Sequence, residues 1–162
     1  MATSGVPDIN VVALCGSLRK ASYHRGLIRS AIQISQESVK GMKIEYVDIT
    51  PLPFINTDLE VNAPLKNAID WASRPPNVWA GKRAAIVSTG GNFGGGRGQY
   101  HLRQIGVYLD MHFINKPEFF AYAFQPPQKF DGEGNLLDAD TKQRLKEVLL
   151  SLQAFTLESK SK

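Results

Sequence analysis

Residues 11–22 read VVALCGSLRKAS, and this stretch decides how the rest of the chain is interpreted. The apolar run at residues 11–14 is typical of a buried strand. Gly16 permits the tight turn that follows, and a helical pattern begins directly behind that turn. A strand that leads through a glycine turn into a helix predicts the first unit of an α/β fold.

The turn at residues 16–22 has the composition of an anion site. Ser17 and Ser22 place hydroxyl groups beside the unpaired amides of a helix N-terminus, which carries a partial positive charge. Arg19 and Lys20 add full charges that suit a phosphate monoester. Glycine and serine are also common in strand-to-helix turns that bind no ligand. The turn by itself therefore leaves phosphate binding and a purely structural role open.

Three better-known motifs do not fit this turn. It lacks the GxxxxGK[ST] pattern of P-loop NTPases and the GxGxxG pattern of dinucleotide-binding Rossmann domains. It is not a nucleophile elbow either, because Gly16 directly precedes Ser17 and Arg19 stands at the position of the second glycine. The turn therefore predicts neither a nucleoside triphosphate site nor a serine nucleophile.

The composition predicts one globular domain over residues 1–162. Hydrophobic residues make up 43% of the chain and the formal charge is +4, with scattered basic residues, so we expect no nucleic-acid partner. We recognise neither a signal sequence nor a membrane-spanning run, and we expect a cytoplasmic protein without a membrane partner. Cys15 is the single cysteine and is expected to be a small buried side chain.

Strand and helix patterns alternate along the chain. Apolar runs predict strands at residues 11–14, 42–49, 83–88, 111–114 and 119–124. Helical spacing predicts helices at residues 24–37, after a cap at Asn62, around residues 102–109 and at residues 141–157. Residues 130–135 are expected to form an exposed turn. This order predicts an open parallel sheet, covered on both faces, with ligands at the carboxyl ends of its strands.

A second glycine-rich loop follows the strand predicted at residues 83–88. Six of the ten residues 89–98 are glycine. Glycine at the carboxyl end of a strand favours close approach of the backbone to a ligand over simple flexibility. Because the carboxyl ends of parallel strands share one edge of the sheet, we expect both loops to belong to one site.

No catalytic side chain is recognisable in the sequence. The histidines His24, His101 and His112 match no metal-site spacing, and no pair of carboxylates indicates acid–base chemistry. We therefore expect no metal. Trp71 and Trp79 are expected to be core or interface aromatics. Binding loops without an acid, a base or a nucleophile indicate that a bound cofactor carries the chemistry.

Four longer strings cover most of the chain and resemble one family. They are GSLRKAS at residues 16–22, APLKNAIDWASRPPNVWAGK at 63–82, GGGRGQYHLRQIGVYLD at 94–110 and NKPEF at 115–119. In these strings the chain resembles the flavodoxin-like NADPH-dependent FMN reductases, and within them the plant NAD(P)H:quinone oxidoreductases and the bacterial chromate/quinone reductases. The resemblance implies a flavodoxin-like, doubly wound parallel sheet in a three-layer αβα arrangement.

The resemblance also implies a cofactor, substrates and an assembly. FMN would be held without a covalent bond, NADPH or NADH would give a hydride to the flavin N5, and the flavin would then give two electrons to a quinone. The protein would work as a homodimer or homotetramer.

Site residues carry over from the family position by position. The resemblance implies that the FMN phosphate is bound by residues of the first turn, namely Ser17, Leu18, Arg19, Lys20, Ser22, Tyr23 and His24. Many relatives have Asn at the position of His24, and a histidine can likewise donate a hydrogen bond. The resemblance implies that the flavin ring is approached by Thr89, Gly90 and Gly91, and that a network between subunits is formed by Arg97, Tyr100 and Glu118.

One segment of the family is missing from the chain. About thirty family residues, which comprise a helix, the central third strand and a flavin loop, have no counterpart between Asn62 and Ala63. Roughly four or five buried aliphatic side chains of such a strand contribute about 6–15 kcal/mol, the whole stability of a typical domain. We therefore expect one of three outcomes: the flanking strands pair directly, another chain donates a strand, or the chain is unstable.

Two other functions stay open at this point. The first is a non-catalytic, shortened variant that acts as an oligomer partner with weak or no flavin binding. The second is an anion-binding module for another phosphate ligand. Flavin colour and NADPH-driven quinone reduction separate both from a reductase.

Overall fold

Strands and helices alternate in the computed structural model, which describes residues 8–51 and 63–160. The strands are β1 (Ile9–Leu14), β2 (Met42–Val47), β3 (Arg83–Ala84), β4 (Val87–Gly90), β5 (His112–Phe113) and β6 (Phe119–Tyr122). The helices are α1 (Tyr23–Ser38), α2 (Ala63–Ser73), α3 (Gly96–Tyr108) and α4 (Ala139–Lys160). The predicted α/β order is confirmed, and the cap predicted at Asn62 lies outside the described residues.

Every strand pair in the described residues is parallel, as predicted. β1 pairs with β2, β3 with β5 and β4 with β6. The strand predicted over residues 83–88 is interrupted, because Ala85 and Ile86 belong to neither β3 nor β4. The partner strand is interrupted in the same way between β5 and β6.

The core lies between the strands and two helices. Leu27 of α1 packs in one cluster of buried side chains with Leu145 and Leu149 of α4. Phe119 of β6 is fully buried in the same cluster. Helices α1 and α4 therefore cover one face of the sheet, and the apolar stripe predicted over residues 141–157 is confirmed as core.

The opposite face of the β1–β2 pair is open. Along β1, buried Ile9 alternates with exposed Asn10, and Val12 is 60% exposed although its strand is apolar. β2 repeats the alternation, since Lys43 and Glu45 are exposed. This pattern is typical of a sheet covered on one face. The open face is what loss of the helix before the third strand would leave.

A gap separates β1 from β4. Within the described residues, β1 pairs only with β2 and β4 pairs only with β6. A cavity of about 530 Å³ lies between them, lined by residues 11–17 on one side and residues 84–89 on the other. The flanking strands do not pair directly, so the first of the three expected outcomes is wrong.

The turn at residues 130–135, expected to be exposed, is anchored in the core. Phe130 is 3% exposed, and its ring stacks on Tyr23 with 4.5 Å between centroids. The carbonyl oxygen of Gly134 lies so close to α1 that a Cβ on Gly26 would meet it at 1.8 Å. The aromatic anchor overrides the polar turn signal, and the turn supports the first turns of α1.

The remaining helices have identifiable ends. Trp79 donates from Nε1 to the carbonyl of Ile69 at 2.9 Å and so ties the segment after α2 to that helix. Trp79 is half-buried and Trp71 is 38% exposed, so neither belongs to the buried core, and an interface role for them stays a prediction. Asp138 caps α4 by accepting a hydrogen bond from the N–H of Thr141 at 2.8 Å.

Among residues 8–51 and 63–160, no helix is both long enough and apolar enough to cross a membrane.

Candidate functional site

The turn between β1 and α1 is built around Ser22. Ser22 is 2% exposed, and its Oγ accepts a hydrogen bond from the N–H of His24 at 3.2 Å, which caps α1. Its own N–H donates to the carbonyl of Arg19 at 3.2 Å and closes the turn. A cap of this kind leaves the first amides of α1 directed toward the turn. The predicted succession of strand, turn and helix is confirmed.

Cations lie beside this helix N-terminus. Leu18, Arg19 and Lys20 are exposed, whereas Ser17 is half-buried and lines the cavity. The positive end of the helix and two flexible cations favour an anion at the same place. The geometry therefore fits a phosphate group next to Ser17 and Ser22.

His24 joins the first turn to the second loop. Its Nε2 accepts a hydrogen bond from the backbone N–H of Thr89 at 3.5 Å, although 65 residues separate the two in the chain. Burial lowers the pKa of His24, and the positive charge of Arg19 lowers it further. An imidazole that accepts at Nε2 carries its proton on Nδ1 and is neutral.

The glycine loop is shorter than the sequence indicates. β4 continues through Thr89 and Gly90, and α3 begins at Gly96, so the predicted loop over residues 89–98 is reduced to residues 91–95. Gly95 has a φ of 84°, and a Cβ there would meet the side chain of Ser88 at 2.8 Å, so this glycine is required by packing. A Cβ on Gly91 would meet nothing within 4 Å. Space for a ligand is therefore found at Gly91.

Two buried oxygens at this edge have no protein partner among the described residues. They are Oγ1 of Thr89, which is 4% exposed, and Oε1 of Gln99, which is 2% exposed. Both residues line the cavity between β1 and β4. Buried polar atoms are nearly always hydrogen-bonded, so these two indicate a missing ligand or a missing piece of chain. Sequence reasoning missed Gln99, whose only signal is a polar side chain three residues before Leu102 on an apolar helix face.

Tyr23 faces the core. Its ring stacks on Phe130 and lies 6.1 Å from the ring of Phe124. Tyr23 therefore supports the turn by packing, and a direct contact with FMN stays a prediction. Phe130 was not expected to support the site, because its contribution depends on tertiary packing.

The residues of the implied subunit network lie on the surface near α3. The hydroxyl of Tyr100 donates to Oε1 of Glu118 at 3.4 Å, and Nζ of Lys116 lies 3.5 Å from Oε2 of Glu118. The guanidinium of Arg97 lies 5.3 Å from the ring centroid of Phe93. The structure thus brings Tyr100 and Glu118 together and gives Arg97 an aromatic neighbour.

Cys15 and the histidines do not form a reactive cluster. Cys15 is 2% exposed, as predicted, and its thiol donates to the carbonyl of Ser17 at 3.5 Å. Burial raises the pKa of Cys15, which disfavours a thiolate. Within the part of the chain that the structure describes, no three His, Cys, Asp or Glu side chains are placed to hold a metal ion.

Known proteins share this sequence and this fold. The chain is 62% identical to the NADPH:quinone oxidoreductase of Arabidopsis thaliana over 96% of each chain, and 58% identical to the NAD(P)H:quinone oxidoreductase of Solanum tuberosum over 96% of this chain and 97% of that relative. Both alignments span 188 residues, more than the 162 residues of this chain, so the relatives carry residues that it lacks.

A solved structure is similar in fold. It is the flavoenzyme NAD(P)H:(acceptor) oxidoreductase FerB of Paracoccus denitrificans, with a TM-score of 0.72 and 24% identity over 90% of this chain and 95% of that chain. This likeness confirms the flavodoxin-like fold. Residues 59–125 match the family described as NADPH-dependent FMN reductase. With relatives this similar over almost its whole length, the chain belongs to the NADPH-dependent FMN reductase family.

Proposed function

We propose that this chain is an FMN-dependent NAD(P)H:quinone oxidoreductase. The observation that carries the proposal is the hydrogen bond between Thr89 and His24, which brings the turn at residues 16–22 and the glycine loop together at one edge of the sheet. A mononucleotide with a phosphate at one end and a ring at the other needs two such loops side by side. The naming of the plant relatives as quinone oxidoreductases supports the same substrate class.

The first turn would hold the FMN phosphate. The hydroxyls of Ser17 and Ser22 and the first amides of α1 offer hydrogen bonds to the phosphate. Arg19 adds a positive charge, and residues 16–22 contain no acidic side chain that would pair with it. Lys20 strengthens the positive field at the surface. Because the cap at Ser22 already fixes the first turn of α1, the amides of that turn need little reordering to bind a phosphate.

The second loop would accommodate the flavin ring. The unpartnered Oγ1 of Thr89 can donate to or accept from a ring heteroatom, and the open space at Gly91 admits a flat group close to the backbone. FMN, when bound, supplies the hydride transfer from NADPH or NADH and the two-electron reduction of a quinone. The chain's own residues bind and orient it.

We also propose that the protein works in the cytoplasm as a homodimer or homotetramer. Phe93 lies in the loop just before α3, and Tyr100 and Val107 lie seven residues apart on α3; the three are 62%, 51% and 74% exposed. Large exposed apolar side chains on one helix face mark a subunit contact. The test measures the molecular mass of the Tyr100→Ala variant by sedimentation and compares it with that of a Glu147→Ala control on α4. If both variants and the parent chain have the same mass at every concentration, the proposed subunit contact is contradicted.

The function is tested with the purified chain, added FMN, NADPH and a quinone. We expect a yellow protein and NADPH-driven quinone reduction. Arg19→Ala should lower this activity at limiting FMN, whereas the control Arg74→Ala, which removes an arginine packed on Trp71, should not. A chain that stays colourless and inactive with excess FMN would overturn the proposal.

A further inference from the structure

The glycine loop at residues 91–95 has few groups of its own to hold it on the sheet. Three of its five residues are glycine, and helix α3 begins behind Gly95 without a side-chain cap. Its own backbone bonds, such as the one from the N–H of Gly94 to the carbonyl of Gly91 at 3.0 Å, close turns inside the loop. Such a loop keeps a fixed position on the sheet only if a group outside it holds it there.

Ser88 of β4 ties the loop to the sheet. Its side chain is buried, and its Oγ donates to the carbonyl of Gly94 at 2.6 Å. A hydroxyl has one proton, so this bond uses the only donor of Ser88. The loop also packs directly on this side chain, because a Cβ on Gly95 would meet Oγ of Ser88 at 2.8 Å. Ser88 therefore fixes where Gly94 and Gly95 lie on β4.

Gln99 of α3 in turn fixes Ser88. Gln99 is buried, and its Nε2 donates to Oγ of Ser88 at 2.8 Å and to the carbonyl of Phe119 at 2.7 Å. Both partners act as acceptors, because the hydroxyl proton is already donated to Gly94 and a carbonyl has no proton. A reversed amide would place Oε1 against the carbonyl of Phe119, so the side chain of Gln99 has one permitted orientation. The bonds form a buried chain from Phe119 through Gln99 and Ser88 to Gly94.

This hydrogen-bond chain sets the orientation of one peptide group. In a planar trans peptide the C=O of one residue and the N–H of the next point in opposite directions. Because Ser88 holds the carbonyl of Gly94, the N–H of Gly95 points away from Ser88. The nitrogen of Gly95 lies close to the end of β4, since a Cβ on Gly90 would meet it at 3.1 Å. The loop thus presents a backbone donor, and not a carbonyl acceptor, beside the residues proposed to approach the flavin ring.

We propose that Gln99 is a positioning residue of the FMN site, which acts through Ser88 to hold the N–H of Gly95 as a donor for a heteroatom of the flavin ring. This inference rests on the proposed function. Gln99 itself does not contact the flavin, and it has no bond to the turn at residues 16–22 among the described residues. Its loss should weaken recognition of the ring and leave recognition of the phosphate unchanged.

The test uses the variants Gln99→Met, which keeps the length of the side chain without its donors, and Ser88→Ala. FMN and riboflavin are titrated by fluorescence well below the melting temperature of each variant. We expect each variant to bind both flavins about tenfold more weakly and by the same factor, as for the loss of one buried hydrogen bond. The double variant should be about as weak as either single variant, because both residues belong to one hydrogen-bond chain.

The matched control is Gln143→Met on α4, where the exposed Gln143 donates to Glu147 at 3.2 Å. It introduces the same side chain on a helix and should leave both affinities unchanged. A second readout needs no flavin: amide exchange is measured by NMR on the free protein. The amide of Gly94 should exchange about tenfold faster in Gln99→Met and Ser88→Ala, while the amide of the buried Val148 in α4 should not change.

The outcomes separate a positioning role from a structural one. Lower melting temperatures with unchanged affinity for both flavins would make Gln99 a purely structural residue and overturn the inference, while the proposed reductase function would stand. Weaker binding of FMN alone would place the effect at the phosphate and would also overturn it. A parent chain that binds neither flavin would overturn the proposed function and this inference with it.

Discussion

The backbone N–H of Thr89 donates to Nε2 of His24 across 3.5 Å and ties the end of β4 to the first turn of α1. This bond spans the gap between β1 and β4, which do not pair with each other. It keeps the two candidate binding loops in contact across that gap. The bond also fixes the neutral tautomer of His24 with its proton on Nδ1, because a protonated Nε2 could not accept.

His24 makes the stability of the protein depend on pH. Its folded-state pKa is lowered, so below the ordinary value of about 6.5 the unfolded chain binds more protons than the folded one. Stability is full above that value and is lost as the pH falls through it, by at most about 1.4 kcal/mol per pH unit for one group. Thermal or urea unfolding between about pH 8 and pH 5 measures this loss.

His24→Asn is the matched variant, since Asn keeps a hydrogen-bonding side chain and does not titrate. We expect its stability to vary less across the same pH range. A variant whose pH profile superimposes on that of the parent chain would show that another group is responsible.

Asp138 should stabilise α4 above its titration range. Hydrogen bonds from the hydroxyl and N–H of Thr141 lower the pKa of Asp138. Its contribution is therefore present above about pH 4 and is lost as the pH falls through the lowered folded-state value. Asp138→Ala should cost about 1 kcal/mol at neutral pH, as for other N-cap residues, and Asp138→Asn should cost less because the amide oxygen still caps. Equal costs for both variants would contradict a capping role.

Gly26 should be intolerant of any side chain. A Cβ at this position would lie 1.8 Å from the carbonyl oxygen of Gly134, which is backbone and cannot move aside without shifting the turn. Gly26→Ala should therefore destabilise the fold by about 3 kcal/mol. Gly98→Ala is the helical control, since its Cβ would meet nothing within 4 Å and should add up to about 1 kcal/mol of stability. Similar melting temperatures for the two variants would refute this packing.

Local features of the fold could be predicted from the sequence. Gly16 indicates the turn at residues 16–22, and Ser22 indicates the helix cap that follows it. Both signals depend only on residues that are close in the chain. The apolar runs likewise mark β1, β2 and the core stripe of α4. These predictions are confirmed because the local propensity of each segment agrees with its tertiary packing.

Long-range contacts could not be predicted. Phe130 lies in a stretch full of turn residues, and only its stacking on Tyr23 makes it core. A run of aliphatic residues likewise does not reveal that the predicted strand is interrupted at Ala85 and Ile86, between β3 and β4. The contact of His24 with Thr89 depends on the relative position of β1 and β4 on the two sides of the gap.

If Arg19 and the N-terminus of α1 bind the phosphate, this group should contribute a large part of the affinity for FMN. A charge-assisted hydrogen bond contributes about 1.5–3 kcal/mol, which corresponds to about 10- to 100-fold in affinity. Arg19→Ala should weaken FMN binding by this factor, and Arg74→Ala should leave it unchanged. Flavin fluorescence titrations of the three proteins give the dissociation constants.

The most direct measurement compares FMN with riboflavin, which lacks the phosphate, in fluorescence titrations of the 162-residue chain. If the turn around Ser22 is the FMN phosphate site, FMN should bind at least about tenfold more tightly than riboflavin, and Arg19→Ala should remove most of that difference. Equal affinity for the two flavins, or binding of neither, would contradict the assignment.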